Sequence, residues 1–494
     1  MLGTIIQKEL KAIISSPKFV ITFSACSIMI LLSVWIGIED YRVGIARTDA
    51  ALDINYQILK TRTWSAIQTR AFRRPDPMQI FVSGVENDVG RLSDIRSGDE
   101  VKLKNSVYSD DTLFAVFRLV DFAFIMQIVF SLFAILFTYD AINGEREGGT
   151  LQLTFSNPVP RAKFILGKLV GSWLGLVIPL LIPILLSILL ILLMRIPMTP
   201  LHWEKLAGLL FISLLYFTFF IALGLLTSAL SRRSATSFLI SLVIWIFFVF
   251  IVPRAGVMAA GQIVDVPGVA ELESQKAAFV KEQSDRMNET MMERSRELSK
   301  RLMAMPQADR QESSKKISEE FRQELDKLQK EREAERAQYD DRLNEDRRNR
   351  QAYQERLGFL LSRFSPASSF RLAAMNLAST DILLKSRAED AMKDFRSKLL
   401  ELAEKKAREQ NSDGIRGRGF MITSTRSKEG KMTVKFQMSD PPTVHPEDVP
   451  VFTEQPRDFN ETVTDTLMDI GLLAIYSIVA FSITFVAFLR YDVR

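Results

Sequence analysis

Six apolar blocks constrain this chain more than any other feature. They fall at 19–38, 118–140, 169–194, 206–230, 236–253 and 468–489. A helix crosses the hydrocarbon core of a bilayer with roughly 20 apolar residues. In that core an unpaired backbone N–H or C=O is too costly, so each block must close its own hydrogen bonds as a helix. The blocks therefore predict a membrane all-α protein with six transmembrane helices. Overall, 47% of residues are hydrophobic and 24% charged, a balance close to that of a soluble protein. Segregation breaks the likeness, because charge concentrates in 39–117 and 254–467.

Residues 1–18 place Leu2, Ile5, Ile6, Leu10, Ile13 and Ile14 at helical spacing, with Lys8, Glu9 and Lys11 on the other side. This predicts an amphipathic helix lying in the membrane interface. The alternative, a cleaved signal peptide, suits the long following run poorly. The first span, 19–38, is uncharged and closes at Glu39-Asp40-Tyr41. Residues 39–117 read as a folded extracytoplasmic loop, broken near its middle by Arg73-Arg74-Pro75-Asp76-Pro77. Arg118 and Asp121 read as interfacial charges at the end of the second span. Pro179 and Pro183 sit inside the third, where a membrane helix tolerates them. The single Cys26 lies in an apolar run and has no disulfide partner.

After the fifth span the composition changes. Residues 269–361 are charged, poor in Gly and strongly helix-forming. Met305-Pro306 interrupts them, and Ile317, Phe321, Leu325 and Leu328 form a narrow seam of coiled-coil type. We read an antiparallel helical hairpin projecting from the membrane, each 35-residue arm reaching about 50 Å. A single solvated helix, or disorder, is the competing reading, since large apolar residues are scarce. A surface helix at 370–377, an amphipathic helix at 385–409 and a strand pair around Glu429-Gly430 complete the insert. The large domain, 254–467, is thus a hairpin plus a small mixed region between helices 5 and 6.

Charge sets the expected orientation. Lys8, Lys11 and Lys18, then Arg146, Arg161, Lys163 and Lys168, then Arg232 and Arg233, and finally Arg490 and Arg494 all fall on one side of a six-span layout. By the positive-inside rule that side, with both termini, is cytoplasmic. The net charge of +5 comes from mixed-sign stretches and does not point to nucleic acid. No G-x-x-x-x-G-K-[ST] occurs, so no P-loop is present in this chain. His202 and His445 stand apart, which excludes a Ser-His-Asp or Cys-His arrangement and a metal cluster. The spans carry almost no ionisable residues, against an ion-coupled transporter.

Between the second and third spans, 141–168 is short, charged and rich in turn residues. It runs Glu145-Arg146-Glu147-Gly148-Gly149-Thr150-Leu151, then Asn157-Pro158-Val159-Pro160-Arg161, to Gly167-Lys168. Glu145 and Glu147 are expected early in a short helix, where its dipole favours carboxylates. Asn157-Pro158 is expected to end that helix.

This wording resembles the cytoplasmic coupling segment of ABC-2-type transporter permeases. The likeness covers the spans well and the long polar inserts poorly. It implies the membrane subunit of an ATP-driven exporter in the bacterial inner membrane, not an enzyme itself. It also implies two copies of a separate ABC ATPase that binds ATP and Mg, and a second permease, identical or paralogous. The implied ATPase-coupling residues are Glu145, Arg146, Glu147, Gly148, Gly149, Thr150, Leu151, Pro158 and Arg161. No cofactor or metal is expected in the chain itself. The expected substrate is hydrophobic or amphipathic, with membrane lipid around the spans. The large insert keeps open a different role: moving no substrate, and passing ATP-driven motion through 269–361 to an extracytoplasmic partner.

Overall fold

The computed structural model describes residues 2–64, 67–96, 101, 103–104, 121–156, 158–303, 310–413, 421–426, 432–437 and 444–490. Helix dominates among the described residues, and six of their helices are long and apolar enough to cross a membrane. The fold is the all-α membrane class that the apolar blocks predict. Among the described residues the strands form two antiparallel pairs. One joins Thr69–Phe72 (β1) to Leu92–Ile95 (β2), the other Met421–Arg426 (β3) to Met432–Gln437 (β4). The turn expected at Glu429-Gly430 lies outside the described residues. The chain forms two compact units: 1–253 with 363–494, and 254–362.

The first unit begins with α1 (Leu2–Ile14) and α2 (Pro17–Leu59). Ser16 caps α2 by accepting the Phe19 N–H at 3.2 Å, and Pro17 takes the first helical position, where its missing N–H costs nothing. The helix does not end at Glu39-Asp40-Tyr41. Its 43 residues give about 65 Å, twice the hydrocarbon core. Residues 39–59 of the expected loop are thus a helical continuation of the first span. Charge ends hydropathy without ending a helix, and no Pro follows Pro17 until residue 75.

A helical turn at Phe122–Phe124 and a π-turn at Ile125–Phe130 lead into α3 (Ser131–Thr138). Asp121 caps this span, accepting the Phe124 N–H at 2.7 Å and the Ser83 N–H at 3.0 Å. Its ionic partner is the buried Arg371, at 2.9 Å. Arg118, the neighbour expected from sequence, lies outside the described residues. The chain continues through α4 (Asn143–Glu147), α5 (Thr150–Phe155), α6 (Arg161–Leu193), α7 (Pro200–Leu230) and α8 (Ser234–Ile246). A π-turn at Phe247–Ile251 extends α8 into α9 (Val252–Ile263).

The second unit is mainly α10 (Val269–Met303) and α11 (Arg310–Ser362), an antiparallel pair. Phe279 stacks on Tyr339 at 4.0 Å. Gln283 bonds Glu335 at 2.9 Å, and Arg294 pairs with Glu324 at 2.9 Å. Each step along α10 is matched by an equal step back along α11, so the register holds from one contact to the next. Phe321, Leu325 and Leu328 are half-buried among exposed neighbours. Met305-Pro306 lies outside the described residues.

The chain returns to the first unit through α12 (Pro366–Leu377), α13 (Leu384–Asp413) and α14 (Phe459–Leu489). The helix expected to run along the membrane surface at 370–377 is instead the buried α12. Ten of its twelve residues are buried. Its Ala and Ser side chains allow close approach to α7 and α14, and Phe370 stacks on Tyr216 at 4.6 Å. Along α14, Ser477 and Thr484 donate to the carbonyls of Leu215 and Ala222 in α7, each at 3.2 Å. Such hydroxyl bonds join helices where water is absent.

Candidate functional site

The segment singled out from sequence is an elbow. α4 ends at Glu147, and Gly149 adopts a left-handed conformation, φ 70°, that restarts the chain as α5. Glycine takes this conformation without the steric penalty of a side chain. The Gly148 N–H donates to Gly144 O and the Gly149 N–H to Arg146 O, both at 3.0 Å. These bonds close α4, and the Thr150 hydroxyl adds a third to Glu145 O at 3.2 Å. The single helix expected from sequence is therefore two; Glu145 lies in the first turn of the first, as expected, and Glu147 is its last residue. Glu147 does meet a helix N-terminus, but another one. It accepts the Ser234 N–H at 2.9 Å and its hydroxyl at 2.7 Å, and so caps α8.

α5 has two faces. Leu151 is 1% exposed and packs with Ile142, Phe164, Ile165, Ala229 and Phe488. Phe155 and Phe164 have ring centroids 5.2 Å apart, as do Phe164 and Phe488. The elbow is thus held against α6, the end of α7 and the end of α14. On the other face Thr150, Gln152 and Leu153 are exposed, Leu153 at 69%.

Beneath the elbow lies a charge network. The ammonium of Lys168, 2% exposed, bonds Glu145 at 2.7 Å and also Glu9. Lys8 meets Glu145 at 2.7 Å. Burial pushes the Glu9 carboxyl above its usual range, and Lys168 opposes that push. The network ties α1 to α4 and α6.

α1 reaches that position along a stripe of glycines on α6. A Cβ added at Gly167 would lie 2.7 Å from Ile5, one at Gly171 2.6 Å from Glu9, and one at Gly175 3.1 Å from Ile13. Eight residues along α1 match eight along α6, so the two run alongside each other in the same direction. The face of α1 that covers this stripe carries Ile5, Glu9 and Ile13, so Glu9, expected on the opposite polar side, lies buried among the isoleucines instead. The Gly-x-x-x-Gly-x-x-x-Gly spacing is the signal that would have revealed the contact.

The nine residues singled out do not share one role. Glu145, Glu147 and Leu151 hold the elbow in place, and Arg161 donates to the Leu489 carbonyl at the end of α14. Gly148, Gly149, Thr150 and Pro158 are exposed, and Arg146 is half-buried. Asn157 lies outside the described residues. Sequence reasoning assigned no role in the site to Lys8, Glu9, Lys168, Ser228 and Ser234. Ser228 joins α7 to the elbow by accepting the Ile142 N–H at 2.9 Å.

Among the described residues, six long apolar helices, with a broken, half-anchored helix between two of them, define a multi-pass membrane protein. The chain belongs to the ABC-2 family of transporter proteins, whose profile matches residues 3–493. It is also similar to the probable ABC transporter permease protein NosY of Stutzerimonas stutzeri, with 54% identity over 43 residues. That match covers 9% of this chain and 16% of the relative.

Proposed function

We propose that the chain is the membrane subunit of an ATP-driven exporter and that the α4–α5 elbow is its docking point for a separate ATPase subunit. The observation that carries this is the two-faced α5. Its outer face presents Thr150, Gln152 and Leu153, while Leu151 on the inner face reaches Phe164 in α6 and Phe488 in α14. A push on the outer face would pass to two spans at once. The basic residues around the elbow support a cytoplasmic position for it, with both termini on the same side of a bacterial inner membrane. ATP and Mg would bind in the partner, supplied as two copies to a pair of permeases. The substrate class suited to spans with few charges is hydrophobic or amphipathic.

The test is co-purification. Glu147→Arg would strip the cap from α8, so loss of a partner would not separate docking from folding. Leu153→Arg changes an exposed side chain instead. We expect it to abolish co-purification of a P-loop ATPase while thermal stability is kept. An ATPase retained by the variant at wild-type yield would refute docking at this face.

A second reading rests on the α10–α11 pair. Its matched register and its 53-residue α11 suit a stiff lever that transmits motion to an extracytoplasmic partner. Deleting 269–361 separates the two: transport that survives favours export, and loss of a bound partner favours the lever.

A further inference from the structure

α6 leaves the elbow at Arg161 and ends at Leu193, about 50 Å further along its axis. At that far end the first unit holds a second polar feature. The turn after β1, the first turn of α7, the start of α13 and a strap at 451–457 enclose a cavity of about 400 Å³. Fixed cations outnumber carboxylates on its walls, five to three.

Most of those cations are already engaged. Arg73 pairs with Glu86 at 2.7 Å, Arg387 with Asp381, and Arg457 with Asp465. Lys205 differs. It is 1% exposed, and its ammonium bonds the Ser379 hydroxyl at 2.9 Å with no carboxylate at ion-pair distance among the described residues. Asp76 is the strongest charge acting on it, from beyond ion-pair distance, and Arg457 and Arg387 oppose its charge. Two further donors have unused capacity: Arg73 Nε and Arg457 Nη1 are buried without a hydrogen-bond partner. Burial also pushes Glu454, on the strap, above the usual carboxylate range, which favours its neutral form. A buried ammonium with no carboxylate at ion-pair distance and two orphaned guanidinium nitrogens are costly. One incoming anion with several acceptor oxygens would satisfy all three.

We propose that this cavity binds an oxyanion, a phosphate or carboxylate group, with Lys205 as its central contact and Arg73 and Arg457 as flanking donors. The volume exceeds that of a lone phosphate and leaves room for the body that carries the group. Such a body is either a soluble anion or the headgroup of an anionic lipid. The site stands apart from the elbow and does not depend on ATPase docking.

The experiment uses the purified full chain without any ATPase, so its failure and that of the docking reading are distinguishable. Thermal unfolding is followed in neutral detergent as inorganic phosphate is titrated against matched sodium chloride. A parallel arm uses phosphatidylcholine nanodiscs with and without phosphatidylglycerol. Wild type is compared with Lys205→Met and Arg457→Gln. We expect a saturable rise in Tm in at least one arm, with the midpoint weakened at least tenfold in each variant. A rise with phosphate identifies a soluble anion as sufficient, and a rise confined to phosphatidylglycerol identifies the headgroup. No rise in either arm, or a midpoint unchanged by both substitutions, overturns the proposal. Should Lys205→Met fail to fold, Arg457→Gln decides, since its side chain lies at the cavity wall and is partly solvated.

Discussion

Lys168→Met tests the charge network under the elbow. The lysine is 2% exposed and is the direct ionic contact of Glu9, which is itself 7% exposed. Methionine fills a similar volume, so the loss is electrostatic and leaves Glu9 buried without its counter-charge. Removing one partner of a buried pair costs roughly 3–5 kcal/mol. Glu145 keeps Lys8 and so adds little to that cost. For a chain of this length we expect Tm to fall by roughly 3–5 °C. The pH dependence has a definite sign. Burial already places the folded carboxyl of Glu9 above its unfolded value, and losing Lys168 raises it further. The penalty is then full above the folded pKa and disappears as pH falls below the unfolded one. Thermal unfolding in detergent at several pH values should show the variant recovering towards wild type in acid. Glu9→Gln in the Lys168→Met background should recover most of the loss at neutral pH. A Tm loss under 2 °C in Lys168→Met, or no recovery with Glu9→Gln, would refute the argument that this network holds α1 in place.

Gly149→Ala should cost about 1–2 kcal/mol through its left-handed backbone alone, because a Cβ there meets nothing within 4 Å; Gly149→Asn should cost less, by the same melting assay. Leu151→Ala removes a side chain 1% exposed and should cost about 2–5 kcal/mol. The same change at the exposed Leu153 should stay within about 0.5 kcal/mol. Arg371→Met leaves Asp121 buried and capping the second span, and should cost roughly 3–5 kcal/mol. Adding Asp121→Asn should restore part of it, because asparagine can still accept the Phe124 N–H.

Much of the membrane fold was legible because hydropathy is a local property. The spans could be read one at a time, and their all-α character followed from the bilayer. The elbow was legible as a position, since Gly148-Gly149 and Pro158 interrupt any helix there. The extension of α2 to Leu59 was not, because Glu39 and Asp40 end an apolar run without ending a helix. The burial of α12 was not either. Its Ala and Ser residues suit a surface or a tight interface equally, and only Tyr216, Asp121 and the faces of α7 and α14 decide between them.

The amino-acid sequence determined the number of spans, the position of the break between the second and third, and the charge pattern on which their expected orientation rests. These depend on neighbours within a few residues. Tertiary structure alone decided what the charged groups do. Glu145 meets Lys8 across 137 positions, and Glu147 caps a helix that begins 87 positions later. A carboxylate near a helix end looks the same in sequence whether it faces water, a partner or a buried lysine. Its partner is set by how α1 seats on the glycines of α6, and that seating exists only once the helices are packed.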